Sequence, residues 1–333
     1  MGYLEITILI VILGLLFDYT NGFHDAANVV STMIATKALA PMAAIIFAAI
    51  LNAIGATQIG GVAKTISTGL IQETIATQTM ILYALLGAIG WNFLTWYYGL
   101  PSSSSYALIG GLIGAAIEAR GLAIIQWGGV VYKVLIPMIL SPFIGFIAAY
   151  LLMKVIYKFF GNHIQGHTAK IFRYLQIGSG GLVALSHGLN DAQKSMGIIT
   201  LGLFASKVIA SINIPLWVIL SCAFMMGLGT ATGGYRIIRT VGFNITKLSP
   251  PQGVAAELSA SFVILTASFF GMPISSSQMI VGSIGGVGTA KNIHEVNRKT
   301  IKKLVITWVC TLPCSALLSA AISAFSQVIK CFF

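Results

Sequence analysis

Apolar residues run through this chain in long blocks separated by short polar segments, at about 3–36, 42–58, 79–98, 101–117, 126–160, 174–206, 216–233, 254–270, 273–290 and 304–329. Blocks of about 17 to 35 residues suit helices that cross a hydrocarbon core about 30 Å thick. They lack the alternating segments of about ten residues that mark a membrane β-barrel. The pattern therefore predicts an all-α polytopic membrane protein. The opening block, MGYLEITILIVILGLLF, has an acid and no basic residue ahead of its apolar run, and is expected to be the first span rather than a signal peptide.

Composition narrows the class. Of 333 residues 57% are hydrophobic and 8% charged, with a mean hydropathy of +0.91, whereas a soluble domain carries roughly a quarter charged residues. Cys222, Cys310, Cys314 and Cys331 form no CxxC pair and are expected to be small hydrophobes rather than a disulfide or zinc framework. A net charge of +11 would point to nucleic acid in a soluble protein. In a membrane protein it is first an orientation signal, and no nucleic-acid partner is expected.

The two halves repeat one another. NGFHDAAN (21–28) recurs as HGLNDAQK (187–194), and GLPSSSSYALIGGLIG (99–114) recurs as GMPISSSQMIVGSIGG (271–286). This divides the chain into a first repeat at 1–160, a polar cytoplasmic linker at 161–173 and a second repeat at 174–333. The basic residues set the orientation. The segments flanking the second Pro-Ser element hold Arg236, Arg239, Lys247 and the run from Lys291 to Lys303, whereas the equivalent flanks in the first half balance Lys64 with Glu73 and Glu118 with Arg120. The former are expected inside and the latter outside. An element whose flanks share a side does not span, so 79–117 and 254–290 are expected to be re-entrant hairpins with the serines at their tips. That path puts both termini outside and 13 of the 19 basic residues inside. It also makes the repeats inverted, an arrangement found in secondary transporters.

The chemistry lies in the repeated motifs. An ionised Asp costs about 2.5–3.5 kcal/mol at the centre of a membrane helix on insertion scales, yet Asp25 and Asp191 occupy matched positions in mid-block. A broken helix with an unwound turn is expected at each motif, offering carboxylate, Asn amide and backbone oxygens to a hard alkali cation or a proton. Alternatively, Asn28 and Lys194 satisfy the two carboxylates as neighbouring donors. Pro101 and Pro273 suit the first turn of a returning half-helix. The hydroxyls of Ser102, Ser103, Ser104 and Ser105, and of Ser275, Ser276 and Ser277, would then stand beside free N–H groups at two positive helix ends, which suits a tetrahedral oxyanion. The bland alternative is serines bonded to their own helix carbonyls.

Other polar residues are less pointed. Lys194 replaces Asn28 of the first motif and either pairs with Asp191 or touches the anion. His24 and His187 do not match one another and suit hydrogen bonding or proton transfer equally. Asp18 and Glu257 lack acidic counterparts and are expected to be interfacial or structural. His163 and His167 are not expected to form a metal site. Asn244-Ile-Thr matches a glycosylation sequon but falls on the expected inner side. There is no P-loop and no GxSxG, so neither ATP hydrolysis nor a serine hydrolase is expected, and no cofactor is called for. The chain reads as a transporter and not an enzyme.

These motifs, together with YRIIRTVGFNITKLSPPQGVAAELSAS (235–261), resemble the inorganic phosphate transporter (PiT) family over nearly the whole chain. The resemblance implies symport of inorganic phosphate with Na⁺ or H⁺ across the cell (inner or plasma) membrane, inverted repeats and often a homodimer. The family also includes some sulfate permeases, so another oxyanion is the alternative cargo. By the same resemblance the cation site maps onto Asp25, Asn28, Asn190 and Asp191 and the phosphate site onto the two serine clusters, with Lys194 beside them. The chain departs from the family in a short segment between the halves, where many members carry a long intracellular domain, and in Gln193-Lys194, where the first motif ends in Ala-Asn.

Overall fold

The computed structural model describes residues 2–58, 61–161 and 166–332. Thirteen α-helical elements follow in order among them. The first half holds α1 (Tyr3–Ala35), α2 (Pro41–Ala56), α3 (Val62–Thr68), α4 (Gln78–Tyr97) and α5 (Ser104–Arg120); then α6 (Trp127–Gly129) passes through a π-helical segment, Val130–Leu135, into α7 (Ile136–Phe160). The second half holds α8 (Gly166–Ala205), α9 (Leu216–Thr232), α10 (Tyr235–Phe243), α11 (Pro250–Phe269), α12 (Ser276–Lys291) and α13 (Arg298–Phe332). Five described helical runs are long and apolar enough to cross a membrane, six if the α9–α10 pair, bent by 72°, counts as one. The protein is a multi-pass helical membrane protein.

Each half has the same order: a long helix, a helix followed by a short one, a hairpin, and a closing long helix that contains a proline, Pro142 or Pro313. Even the residues after the long opening helices, Lys37 and Lys207, both take positive φ. The ten apolar blocks all appear as helices. The short α3 and α10 were not foreseen, because neither is long enough to read as a span.

The expected unwound turns are not there. Both α1 and α8 run unbroken through their motifs for 33 and 40 residues. At 1.5 Å per residue these are about 50 and 60 Å long, more than a straight crossing needs. The excess is taken up by length rather than by a break. The two motif carboxylates are held by side chains, of their own helices and of the second hairpin tip, rather than by unwound backbone. Close packing across the halves then leaves no room to unwind: a Cβ on Gly22 of α1 would stand 2.6 Å from the Met226 carbonyl oxygen of α9, and one on the matching Gly188 of α8 would run into the Asn52 carbonyl of α2.

Both hairpins have their feet tied together and their tips buried. Before and after the α4–α5 hairpin, Gln126 N donates to Leu70 O at 2.9 Å and Gln72 N to Ile124 O at 3.3 Å; around the α11–α12 hairpin, Asn297 N donates to Ile245 O at 2.8 Å. Each tip turns at a glycine in the left-handed region, Gly99 (φ +62°) or Gly271 (φ +66°), where a side chain would be strained. The carbonyl of each glycine accepts a threonine hydroxyl from the short helix of the opposite half: Thr240 of α10 reaches Gly99 at 3.2 Å, and Thr65 of α3 reaches Gly271 at 2.7 Å. Part of the polar segment at 161–173 is helical. Gly166 to Arg173 form the first turns of α8, and His163 lies outside the described residues.

Candidate functional site

The two motifs meet where the hairpin tips converge. Asp25 on α1 and Asp191 on α8 each place a carboxylate oxygen, and His187 a ring nitrogen, within 4.8 Å of one another. The tips arrive at the same place, with Ser105 Oγ of α5 lying 3.5 Å from the Ile274 carbonyl oxygen before α12. None of the twelve residues expected at the cation and anion sites is more than 4% exposed.

The serines do not face an open anion cradle; most bond to protein groups, two of them to the carboxylates. Ser277 donates to Asp25 Oδ1 at 2.5 Å and Ser276 to Asp191 Oδ2 at 2.7 Å, while Ser105 Oγ stands 3.5 Å from Asp191 Oδ1. Ser103 and Ser275 cap their helices, each Oγ accepting a backbone N–H three residues on at 3.3 Å. Ser102 donates to Thr95 Oγ1 at 3.1 Å. Ser104 Oγ alone of the seven has no hydrogen-bond partner among the described residues. The residues expected at the cation site and those expected at the anion site therefore share one polar cluster.

Within it the two motifs are built alike. Asn28 Nδ2 donates both to Asp25 Oδ1 at 3.2 Å, three residues back, and to Ser277 Oγ of the second tip at 2.7 Å. Lys194 Nζ repeats the pattern: it pairs with Asp191, three residues back, and donates to Ser105 Oγ of the first tip at 2.5 Å and to Ile274 O at 2.9 Å. Lys194 thus takes the ion-pairing alternative. Asn28 keeps its Oδ1 without a partner, so a free amide oxygen remains beside Asp25. Lysine has no acceptor to offer.

The remaining motif residues surround this centre, with His187 at its edge. Asn190 turns away, donating to Ser268 Oγ at 2.7 Å. His24 Nε2 lies 3.1 Å from Thr95 Oγ1 and its Nδ1 3.3 Å from Asp25 Oδ1. His187 has its Nδ1 3.1 Å from Asn52 Oδ1, and its Nε2 2.8 Å from Asp191 Oδ2 in a geometry that does not align a hydrogen bond. Gln193, which departs from the first motif, has a separate role: its Oε1 accepts the Val62 and Ala63 N–H groups and caps α3.

Asp18 and Glu257 are not interfacial, since both are fully buried. Asp18 Oδ1 accepts from Ser195 Oγ of α8 at 2.6 Å. Glu257 on α11 gathers Thr32 of α1 at 2.6 Å, Gln176 of α8 at 3.1 Å, and Ser179. Sequence reasoning missed this second cluster. Its trace was the polar pairs Thr32/Thr36 and Gln176/Ser179, each spaced to share a helix face.

Known proteins carry the same organisation. Residues 21–319 match the model of the phosphate transporter family. The chain is 47% identical over 320 residues to a probable low-affinity inorganic phosphate transporter of Bacillus subtilis (strain 168), covering 95% of this chain and 96% of that one. It is 42% identical to one from Rhizobium meliloti (strain 1021), covering 93% of each. Its fold matches that of a solved sodium-dependent phosphate transporter with a TM-score of 0.85 at 23% identity, covering 98% of this chain and all of that one. With the match spanning both motifs and both hairpins, the chain belongs to the phosphate transporter family, whose members are transporters and not enzymes.

Proposed function

We propose that the protein moves inorganic phosphate across the cell membrane by cation-coupled symport and alternating access, with both termini outside and 79–117 and 254–290 as re-entrant hairpins of two inverted repeats, at 1–160 and 174–333, joined by the linker at 161–173. A two-copy assembly belongs to the same reading. The observation that carries it is the convergence of matched carboxylates, from helices of different halves, with the N-terminal serines of two matched hairpins in one buried cluster. The tied feet of each hairpin support re-entrance.

Charge sets the order of events. Phosphate carries one to two negative charges at neutral pH and is repelled by Asp25 while that carboxylate lacks a cation, Asp191 being paired with Lys194. A Na⁺ or a proton arriving beside Asp25, with the Asn28 oxygen as a further ligand for Na⁺, removes that repulsion. It also displaces the Ser277 hydroxyl from the carboxylate, which turns a donor toward the anion. Ser104, with no partner to give up, is the second donor. Ser102, Ser103, Ser105, Ser275 and Ser276 complete the anion site at the two helix N-termini, beside Lys194, while Asn190 and Asp191 form the second-half counterpart of the cation site, where Asp191 pairs with Lys194. Cation and phosphate then raise one another's affinity by the same factor. A site this buried admits its cargo only when a tip moves, and a Thr-to-Gly hydrogen bond from the other half is among the contacts that would have to give at each tip.

Phosphate uptake into proteoliposomes under separately imposed Na⁺ and pH gradients tests this. Accumulation driven by either gradient is expected. Phosphate equilibrating without response to both would overturn coupling, and sulfate outcompeting phosphate would overturn the cargo.

A further inference from the structure

The repeat equates Lys194 with Asn28, and the structure gives the two side chains the same pair of duties. Each donates to the carboxylate three residues back and to the last serine of the opposite hairpin tip. They differ in charge and in acceptors. Asn28 leaves a carbonyl oxygen free beside Asp25, which is what a hard cation binds. Lys194 brings a positive charge of its own, and its three N–H groups go to Asp191, Ser105 and Ile274. Asp191 therefore already has a cation, fully buried and covalently attached.

Charge counting gives the consequence. Two carboxylates, Asp25 and Asp191, against one ammonium leave a formal charge of −1 with both histidines neutral. With asparagine at 194 the same cluster would carry −2. A buried cluster must be neutralised from outside by as many free cations as it lacks.

We infer that the Lys194 ammonium is a tethered coupling cation, filling in the second half the place that a free cation takes beside Asp25 and Asn28 in the first, so that this chain moves one cation fewer per phosphate than it would with asparagine at 194. The inference rests on the symport reading and sets its stoichiometry. It also explains why Ser105 stands back at 3.5 Å from Asp191 while Ser277 closes to 2.5 Å on Asp25: the ammonium lies between the first pair.

The test uses the purified full chain in proteoliposomes, with labelled phosphate and the membrane potential at which net flux vanishes read out under fixed Na⁺, pH and phosphate gradients. For Lys194→Asn the cation-to-phosphate ratio is expected to rise by one. For Lys194→Arg it is expected to stay at the wild-type ratio, whatever happens to the rate. Asn28→Lys, the reciprocal change, is expected to lower the ratio by one, and it decides the matter if Lys194→Asn does not yield folded protein by size-exclusion chromatography. In the wild type the cation dependence of phosphate binding is expected to have a Hill slope of about one, because only the first-half site takes a free ion. A ratio unchanged in Lys194→Asn, or a wild-type slope of about two, would overturn the tethered cation while leaving phosphate symport intact. Absence of phosphate uptake by the wild type would instead refute the symport reading itself.

Discussion

The two hairpin tips have nearly the same sequence, and the structure uses them differently. In the second tip Ser276 and Ser277 reach both carboxylates, one in each half. In the first, Ser105 serves mainly as an acceptor for Lys194, and Ser104 has no partner. The repeat accounts for what the tips share, and one of the differences departs from it. Ser277 and Ser105 each face the Asp of the opposite half, whereas Ser276 bonds to Asp191 of its own half and the matching Ser104 makes no bond to Asp25. One substitution, Asn to Lys in the second motif, accounts for the rest, because the ammonium takes over the contact that Ser105 would make. A repeated pair of motifs and tips supplies two matched frameworks, and a single charged side chain is enough to make the contacts of Ser105 and Ser277 unequal.

Removing the carboxylates breaks the comparison most sharply. Asp25→Asn and Asp191→Asn are both expected to abolish gradient-driven phosphate uptake, but with unequal damage to the fold. Asp191→Asn leaves the Lys194 ammonium buried without its counter-charge, a loss of the kind that costs about 3–5 kcal/mol. Asp25→Asn leaves no buried cation unpaired. The melting temperature of the detergent-solubilised protein should therefore fall further for Asp191→Asn. Equal shifts would refute the assignment of Lys194 to Asp191.

Next come the hydroxyls. Ser277→Ala removes the donor to Asp25 and the acceptor of Asn28 together, so it is expected to raise the KM for phosphate by at least about tenfold, on the scale of about 1.5–3 kcal/mol for a hydrogen bond to a charged group. Ser104→Ala sharpens the contrast with its counterpart. Having no partner to lose, it should raise the phosphate KM while leaving the melting temperature unchanged, whereas Ser276→Ala should lower both affinity and stability. A Ser104→Ala protein with wild-type uptake would remove that serine from the anion site.

How much of this was legible in the sequence depends on whether a feature had a copy. The ten helical blocks, both motifs and both tips were legible because hydrophobic length and repetition each leave a pattern. The unbroken course of α1 and α8 was not, because a polar patch in mid-helix reads the same whether the backbone opens or other helices supply the partners. Here they do: Ser276, Ser277, Thr95 and Asn52 come from distant parts of the chain. The Glu257 cluster escaped notice for the opposite reason, since Thr32, Gln176 and Ser179 have no counterparts in the other half and no motif brings them together. Gln193 looked like a departure within a binding motif. It proved to be the cap of α3, a helix too short for the hydrophobic pattern to announce.

The smallest expected effect tests the one respect in which the tips are the same. Ser103 and Ser275 each cap a returning helix through a 3.3 Å bond from the N–H three residues on, and neither side chain touches a carboxylate. Replacing an N-cap serine by alanine costs about 0.5–2 kcal/mol. Because these two caps are built alike, Ser103→Ala and Ser275→Ala should lower the melting temperature by similar small amounts and leave the cation-to-phosphate ratio alone. If one of the two changed that ratio, the asymmetry of the site would extend into the helix ends, beyond the reach of Lys194.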